Sequence, residues 1–144
     1  LLCGLGWFVS AADFDGDGRA DVLVSDAAWS RNQPQQGRAI VFAGGRGGLG
    51  RAPAWTVEGR RANDQIGGTV SRAGDVNGDG YEDVLVRDVG NMMGGPVATS
   101  AVLLFLGTPR GLASEPAGSP LVVGVVTTRG VGQNRIAFRI EIVE

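Results

Sequence analysis

The chain has 144 residues, 43% of them hydrophobic, which is enough to bury one core and too apolar for a disordered tail. It has no His and no Lys; its 13 basic residues are all Arg, scattered along the chain, and the net charge is −2. This excludes Ser-His-Asp and Cys-His catalysis, the common zinc sites, Schiff-base lysines and G-K-[ST] phosphate loops, and no basic stripe suits a nucleic acid.

Taken in order, residues 1–9 (LLCGLGWFV) are apolar but too short to span a bilayer, and they read as a strand. No other stretch is long enough for a membrane span. Cys3 has no second cysteine to pair with and is expected to be a small buried apolar residue. An acidic loop, residues 13–21 (DFDGDGRAD), leads into the apolar run Val22-Leu23-Val24. Residues 27–37 form a polar loop, in which Trp29 and Arg31 are candidate ligand contacts. Residues 38–44 (RAIVFAG) read as a strand ending in Gly, followed by a Gly48-Leu49 turn, Pro53 and a short strand over 54–58. Trp7 and Trp55 are expected in the core or between sheets.

The same order then recurs, and over about 22 positions from Gly6 and Gly68 it does so 62 residues later without a gap. Asp13 falls on Asp75, Asp15 on Asn77, Asp17 on Asp79 and Asp21 on Asp83, and Val84-Leu85-Val86 repeats the apolar run. A variable loop over 90–96 follows, with Asn91, Met92 and Met93 as candidate contacts, then residues 101–107 (AVLLFLG), Gly111-Leu112, Pro116 and a strand near 120–126. Residues 127–144 lack the acidic loop; Ile136, Phe138, Ile140 and Ile142 alternate with other residues as in a period-two strand. The organisation expected is therefore one repeat over residues 1–59, a second over 60–126 and a divergent segment over 127–144. Glycine is abundant at 25 residues without a collagen period, and the apolar runs are short and Val-rich. The fold expected is all-β, with four antiparallel strands per repeat forming blades of a β-propeller.

Seven aspartates sit within residues 13–21 and 75–83. Each loop places side-chain oxygens at its first, third, fifth and ninth positions: Asp13, Asp15, Asp17 and Asp21, then Asp75, Asn77, Asp79 and Asp83. The seventh residues, Arg19 and Tyr81, can add a backbone carbonyl, and glycine at the sixth allows the sharp turn. At an effective dielectric of about 20, two carboxylates some 5 Å apart repel by about 3 kcal/mol. A divalent cation relieves that repulsion. Ca²⁺ accepts six to eight oxygens in flexible geometry, whereas Mg²⁺ demands near-octahedral order. An EF-hand is excluded because its twelfth position would be Val24 or Val86, inside an apolar strand.

At these residues (DFDGDGRADVLV and IGGTVSRAGDVNGDGYEDVLV) the sequence resembles the FG-GAP repeat family, the integrin-α-type repeats. The resemblance spans about residues 4–120. It implies one propeller blade per repeat, usually seven in a ring, with calcium held in the hairpin loop between the first two strands. It also implies a secreted or cell-surface, non-catalytic module that recognises an extracellular protein or carbohydrate. The alternative is an accessory propeller portion of a larger secreted hydrolase or lyase. The Phe-Gly start of the family's repeat is Leu5-Gly6 in one unit and Ile66-Gly67 in the other. A ring of seven such repeats needs roughly 430 residues. The chain is therefore expected to be a fragment, or to associate with further blades.

Overall fold

The computed structural model describes residues 5–89, 98–118, 121–127 and 136–142. Short β-branched runs bounded by Gly and Pro favour pairing over helix, and every regular element among the described residues is a strand. In the first repeat these are β1 (Val9–Ala12), β2 (Asp21–Asp26), β3 (Arg38–Phe42), β4 (Gly44–Gly45), β5 (Gly48–Leu49) and β6 (Trp55–Glu58). The second contains β7 (Val70–Gly74), β8 (Asp83–Asp88), β9 (Ala98–Phe105), β10 (Gly107–Thr108), β11 (Gly111–Leu112) and β12 (Leu121–Thr127), and β13 (Ile136–Ile142) follows. All sheet ladders are antiparallel, in the orders β1-β2-β3-β6 and β7-β8-β9-β12-β13. The first is the four-stranded blade that the repeat pattern predicts, and the second is such a blade with one strand more.

The Gly-Leu pairs, expected as turns, are instead the return strands of two-residue hairpins, β4 with β5 and β10 with β11. Gly48 and Gly111 take φ values of 102° and 92°, which the tight reversal demands of glycine. The alternating C-terminal run is a strand, and β13 pairs with β12 along its full length, from Leu121↔Ile142 to Thr127↔Ile136. It adds a fifth strand to the second sheet. Cys3 lies outside the described residues.

The gap-free alignment of the two repeats does not survive in register. Val9 pairs with Val24, but Val70, not Ser71, pairs with Val86. A bulge between Arg72 and Gly74 absorbs the extra residue. Because a one-residue slip turns every side chain to the other face, the bulge puts Val70 inward and leaves Ser71 exposed.

The core lies between the two sheets. From the first come Ala12, Phe14, Leu23, Ala39, Val41 and Trp55; from the second come Val70, Val84, Val86, Phe105 and Leu112, with Ile66 on the connection. Leu23, Val41 and Trp55 form one cross-strand row, since Leu23 pairs with Val41 and Val41 with Trp55. They face the row Val70, Val86 and Leu103. Each fully buried side chain of this size contributes about 1.5–3 kcal/mol. Trp55 pins the sheets together. Its ring meets Phe105 edge-on at 5.0 Å, and its Nε1–H donates to the Ala113 carbonyl at 2.9 Å. Trp7, expected in a similar setting, is instead 61% exposed, in the bend that precedes β1.

Trp55→Ala removes a buried indole, a ring contact and a hydrogen bond together. It should cost about 3–5 kcal/mol in urea unfolding, and the cost should appear as lost cooperativity between the two sheets.

Candidate metal centre

Each acidic loop connects the first two strands of its sheet, β1 to β2 and β7 to β8. The two loops are built by the same hydrogen bonds. Asp13 Oδ1 accepts the N–H groups of Gly16 (2.7 Å) and Asp17 (3.1 Å), and Oδ2 accepts that of Gly18 (2.8 Å). Asp75 does the same with Gly78 (2.7 Å), Asp79 (3.0 Å) and Gly80 (2.7 Å). At the third position, Asp15 Oδ1 accepts from Asp17 N–H and Asn77 Oδ1 from Asp79 N–H, both at 3.1 Å. At the fifth, Asp17 Oδ1 accepts from Arg19 N–H (2.8 Å) and Asp79 Oδ1 from Tyr81 N–H (3.0 Å). These local bonds, which Asp and Asn make readily, wind the backbone so that successive side chains converge.

The ninth position behaves differently. Asp21 and Asp83 are buried. Asp21 accepts Phe14 N–H on Oδ2 (2.9 Å) and Gly44 N–H on Oδ1 (2.8 Å). Asp83 accepts Val76 N–H (2.7 Å) and Gly107 N–H (2.8 Å) in the same way. This carboxylate therefore ties the start of its loop to the exit of the third strand. Gly44 and Gly107 are the glycines that end the apolar runs. A Cβ on Gly44 would collide with the Ala20 carbonyl, and one on Gly107 with the Glu82 carbonyl. The sequence shows these two glycines as strand ends and gives no sign of their role under the loop.

In the first loop one oxygen each of Asp13, Asp15 and Asp21 lie within 4.8 Å of one another. This donor set, hard oxygens on a glycine-rich turn, fits a divalent cation of the calcium type. Asp17 stands apart from the trio: its Oδ2 pairs with the Arg19 guanidinium at 2.8 Å. In the second loop the equivalent Asp79 Oδ2 accepts from Asn77 Nδ2 at 2.8 Å. Burial raises the Asp13 carboxyl, but the N–H groups of Gly18, Gly16 and Asp17 and the Asp15 side chain outweigh it, so its pKa lies below the ordinary value. Asp15 is pushed up, by burial first, then by the charges of Asp21 and Asp17 and its bond to Asp13, against the Asp17 N–H. One carboxylate is held ionised, and its neighbour resists ionising beside it.

Of the candidate contact residues, Arg31 is exposed, with Nη1 3.7 Å from Glu58 Oε1. Trp29 is half-buried under the Arg38 guanidinium, 4.7 Å from its ring centre, and serves as a loop anchor. Asn91, Met92 and Met93 lie outside the described residues. The loop over residues 27–37 is held from inside by Gln36. Its Oε1 accepts the N–H groups of Arg31 (3.2 Å), Asn32 (3.0 Å) and Gln33 (2.9 Å), while Nε2 donates to the Gly59 carbonyl (2.9 Å). Gln35, Asn63 and Gln65 take positive φ values around this clasp.

Antiparallel repeats, each with an acidic hairpin loop between its first two strands, define a class of β-propeller blades. Comparison with known proteins agrees: residues 5–42 match the FG-GAP repeat. The chain is similar to integrin alpha-IIb of Homo sapiens, 35% identical over 118 residues, covering 77% of this chain and 11% of that protein. It is also similar to integrin alpha-PS2 of Drosophila melanogaster (30% over 118 residues, 77% of this chain, 8% of that protein) and integrin alpha-5 of Xenopus laevis (28% over 116 residues, 77% and 11%). The chain belongs to the FG-GAP repeat family and spans about a tenth of the length of these integrin alpha chains. No helix among the described residues is long and apolar enough to cross a membrane.

Asp21→Asn or Asp83→Asn leaves one backbone N–H facing an amide that cannot accept on that side. Each should cost about 1–3 kcal/mol in unfolding with cations chelated, whereas exposed Asp17→Asn should stay within about 0.5 kcal/mol. In chelator, an NMR titration should place the Asp13 transition below that of a free Asp and the Asp15 transition above it. The stability that Asp13 adds is then present above the unfolded Asp pKa of about 3.9 and fades as pH falls through its lower folded value. Asp15 acts in the opposite sense, losing stability as pH rises through its elevated value.

Proposed function

We propose that the chain is a calcium-stabilised, non-catalytic recognition module of an extracellular or cell-surface protein. Its repeat units are residues 1–59 and 60–126, followed by the divergent segment 127–144. The ligands are Asp13, Asp15, Asp17 and Asp21 with the Arg19 carbonyl, and Asp75, Asn77, Asp79 and Asp83 with the Tyr81 carbonyl. The observation that carries this reading is the convergence of the Asp13, Asp15 and Asp21 oxygens within 4.8 Å, in a loop whose backbone N–H to side-chain hydrogen bonds the second repeat reproduces. In this reading the cation neutralises the crowded acids and fixes each hairpin. Recognition of a protein or carbohydrate falls to the variable loops between the second and third strands, not to the metal. The integrin-α-type relatives support an adhesive role.

Association with further blades is supported by two uncovered surfaces. Val9, which occupies the register place of Val70, is 64% exposed while Val70 is 6% exposed. On the opposite side Val76, the counterpart of fully buried Phe14, is 52% exposed. At these two positions a residue that one sheet buries against the other has an exposed counterpart. A head-to-tail neighbour on either side would cover it.

Melting curves with calcium, magnesium or chelator test the cation reading. At calcium 100-fold above the dissociation constant, a single filled site adds about 2.7 kcal/mol. The melting point should rise by several degrees with calcium, less with magnesium, and not at all in the Asp17→Ala/Asp79→Ala double variant. A melting point indifferent to calcium ends the proposal.

A further inference from the structure

We propose that Tyr81 couples the two acidic loops, so that filling one tightens the other. This rests on the reading that both loops hold calcium. The coupling itself comes from a contact between the loops. Gly16 sits at the tip of the first loop with φ 76°, and a Cβ built on it would fall 2.7 Å from Cε1 and 3.3 Å from Cδ1 of Tyr81. The phenol ring of the second repeat therefore lies directly on the turn of the first. That turn is the one whose Gly16 N–H donates to Asp13 at 2.7 Å.

The other end of Tyr81 is built into the second loop. Its N–H donates to Asp79 Oδ1 at 3.0 Å. Its Cβ abuts Gly107, where an added methyl would lie 2.7 Å away, and Gly107 N–H donates to Asp83 Oδ1 at 2.8 Å. The ring thus joins the backbone beside Asp79 and Asp83 to the backbone beside Asp13. Arg19, the residue at the same position of the first loop, turns instead onto Asp17 within its own loop. A cation among Asp75, Asn77, Asp79 and Asp83 fixes the segment that carries Tyr81. The ring then holds the Gly16 turn in the shape that presents Asp13. A second ion meets a loop already ordered and loses less conformational entropy on binding, and the effect is reciprocal.

Calorimetric titration of the full chain with calcium chloride tests this. Disabling the second loop with Asp79→Ala should weaken the first by about fivefold or more, the low end of ordinary site–site coupling. Disabling the first with Asp15→Ala should weaken the second by the same factor. In a Tyr81→Ala background the first loop should bind calcium equally strongly whether or not Asp79 is present. Tyr81→Phe should retain the coupling. Tyr81→Arg, which supplies the residue type the first loop accommodates at that position, should abolish it with the fold intact by circular dichroism. Two sites that bind independently in the unaltered chain overturn the coupling and leave the calcium reading standing. An Asp79→Ala effect that persists in both the Tyr81→Ala and Tyr81→Arg backgrounds also overturns it. A chain that takes up no calcium overturns both.

Discussion

A buried carboxylate with both oxygens committed to backbone N–H groups is the constraint on which each repeat depends. Asp21 and Asp83 each receive one bond from the loop and one from the glycine that leaves the third strand. An ionised acid can be buried only where such donors replace its water. The loop, the second strand and the exit of the third strand are therefore fixed relative to one another at a single residue. The glycines at 44 and 107 follow from this, because a side chain there would push the donor away from the acid and into the neighbouring carbonyl. The exposed acids of each loop are arranged around that anchor and inherit its geometry.

The second level of order is the packing of one sheet on the next. Trp55 and Phe14 reach from the first sheet, Val70 and Phe105 from the second, and the bulge after Arg72 sets which side of β7 takes part. The outer sides carry Val9 and Val76, and their exposure reflects the side they occupy more than their composition. Tyr81 on Gly16 extends the same contact down to the loops, so the core and the acidic sites share one boundary.

Much of this was legible in the sequence because the signal was repeated. Two copies of one acidic pattern at a constant offset located both loops, and the short apolar runs located the strands. Other features left no trace there. Ala73 is an unremarkable residue in a gap-free alignment, and only the ladder pairing shows it as the inserted one. Trp7 and Trp55 look alike in sequence; in the fold Trp55 packs on Phe105 of the second sheet, while Trp7 stands exposed before the first strand. The glycines after the third strands read as punctuation, since their partner is a carboxylate more than twenty residues away. The Tyr81 contact joins residues 65 positions apart through a glycine that carries no side chain to betray it.

The interior amide of Gln36 has a consequence for variation among such repeats. By accepting three successive backbone N–H groups and gripping Gly59, it sets the path of the tip without help from the side chains at 31, 32 and 33. Those side chains take no part in the clasp, and the exposed pairing of Arg31 with Glu58 at 3.7 Å adds little to it. The tip can diversify while its scaffold stays constant, which is the division of labour that lets one architecture acquire new specificities.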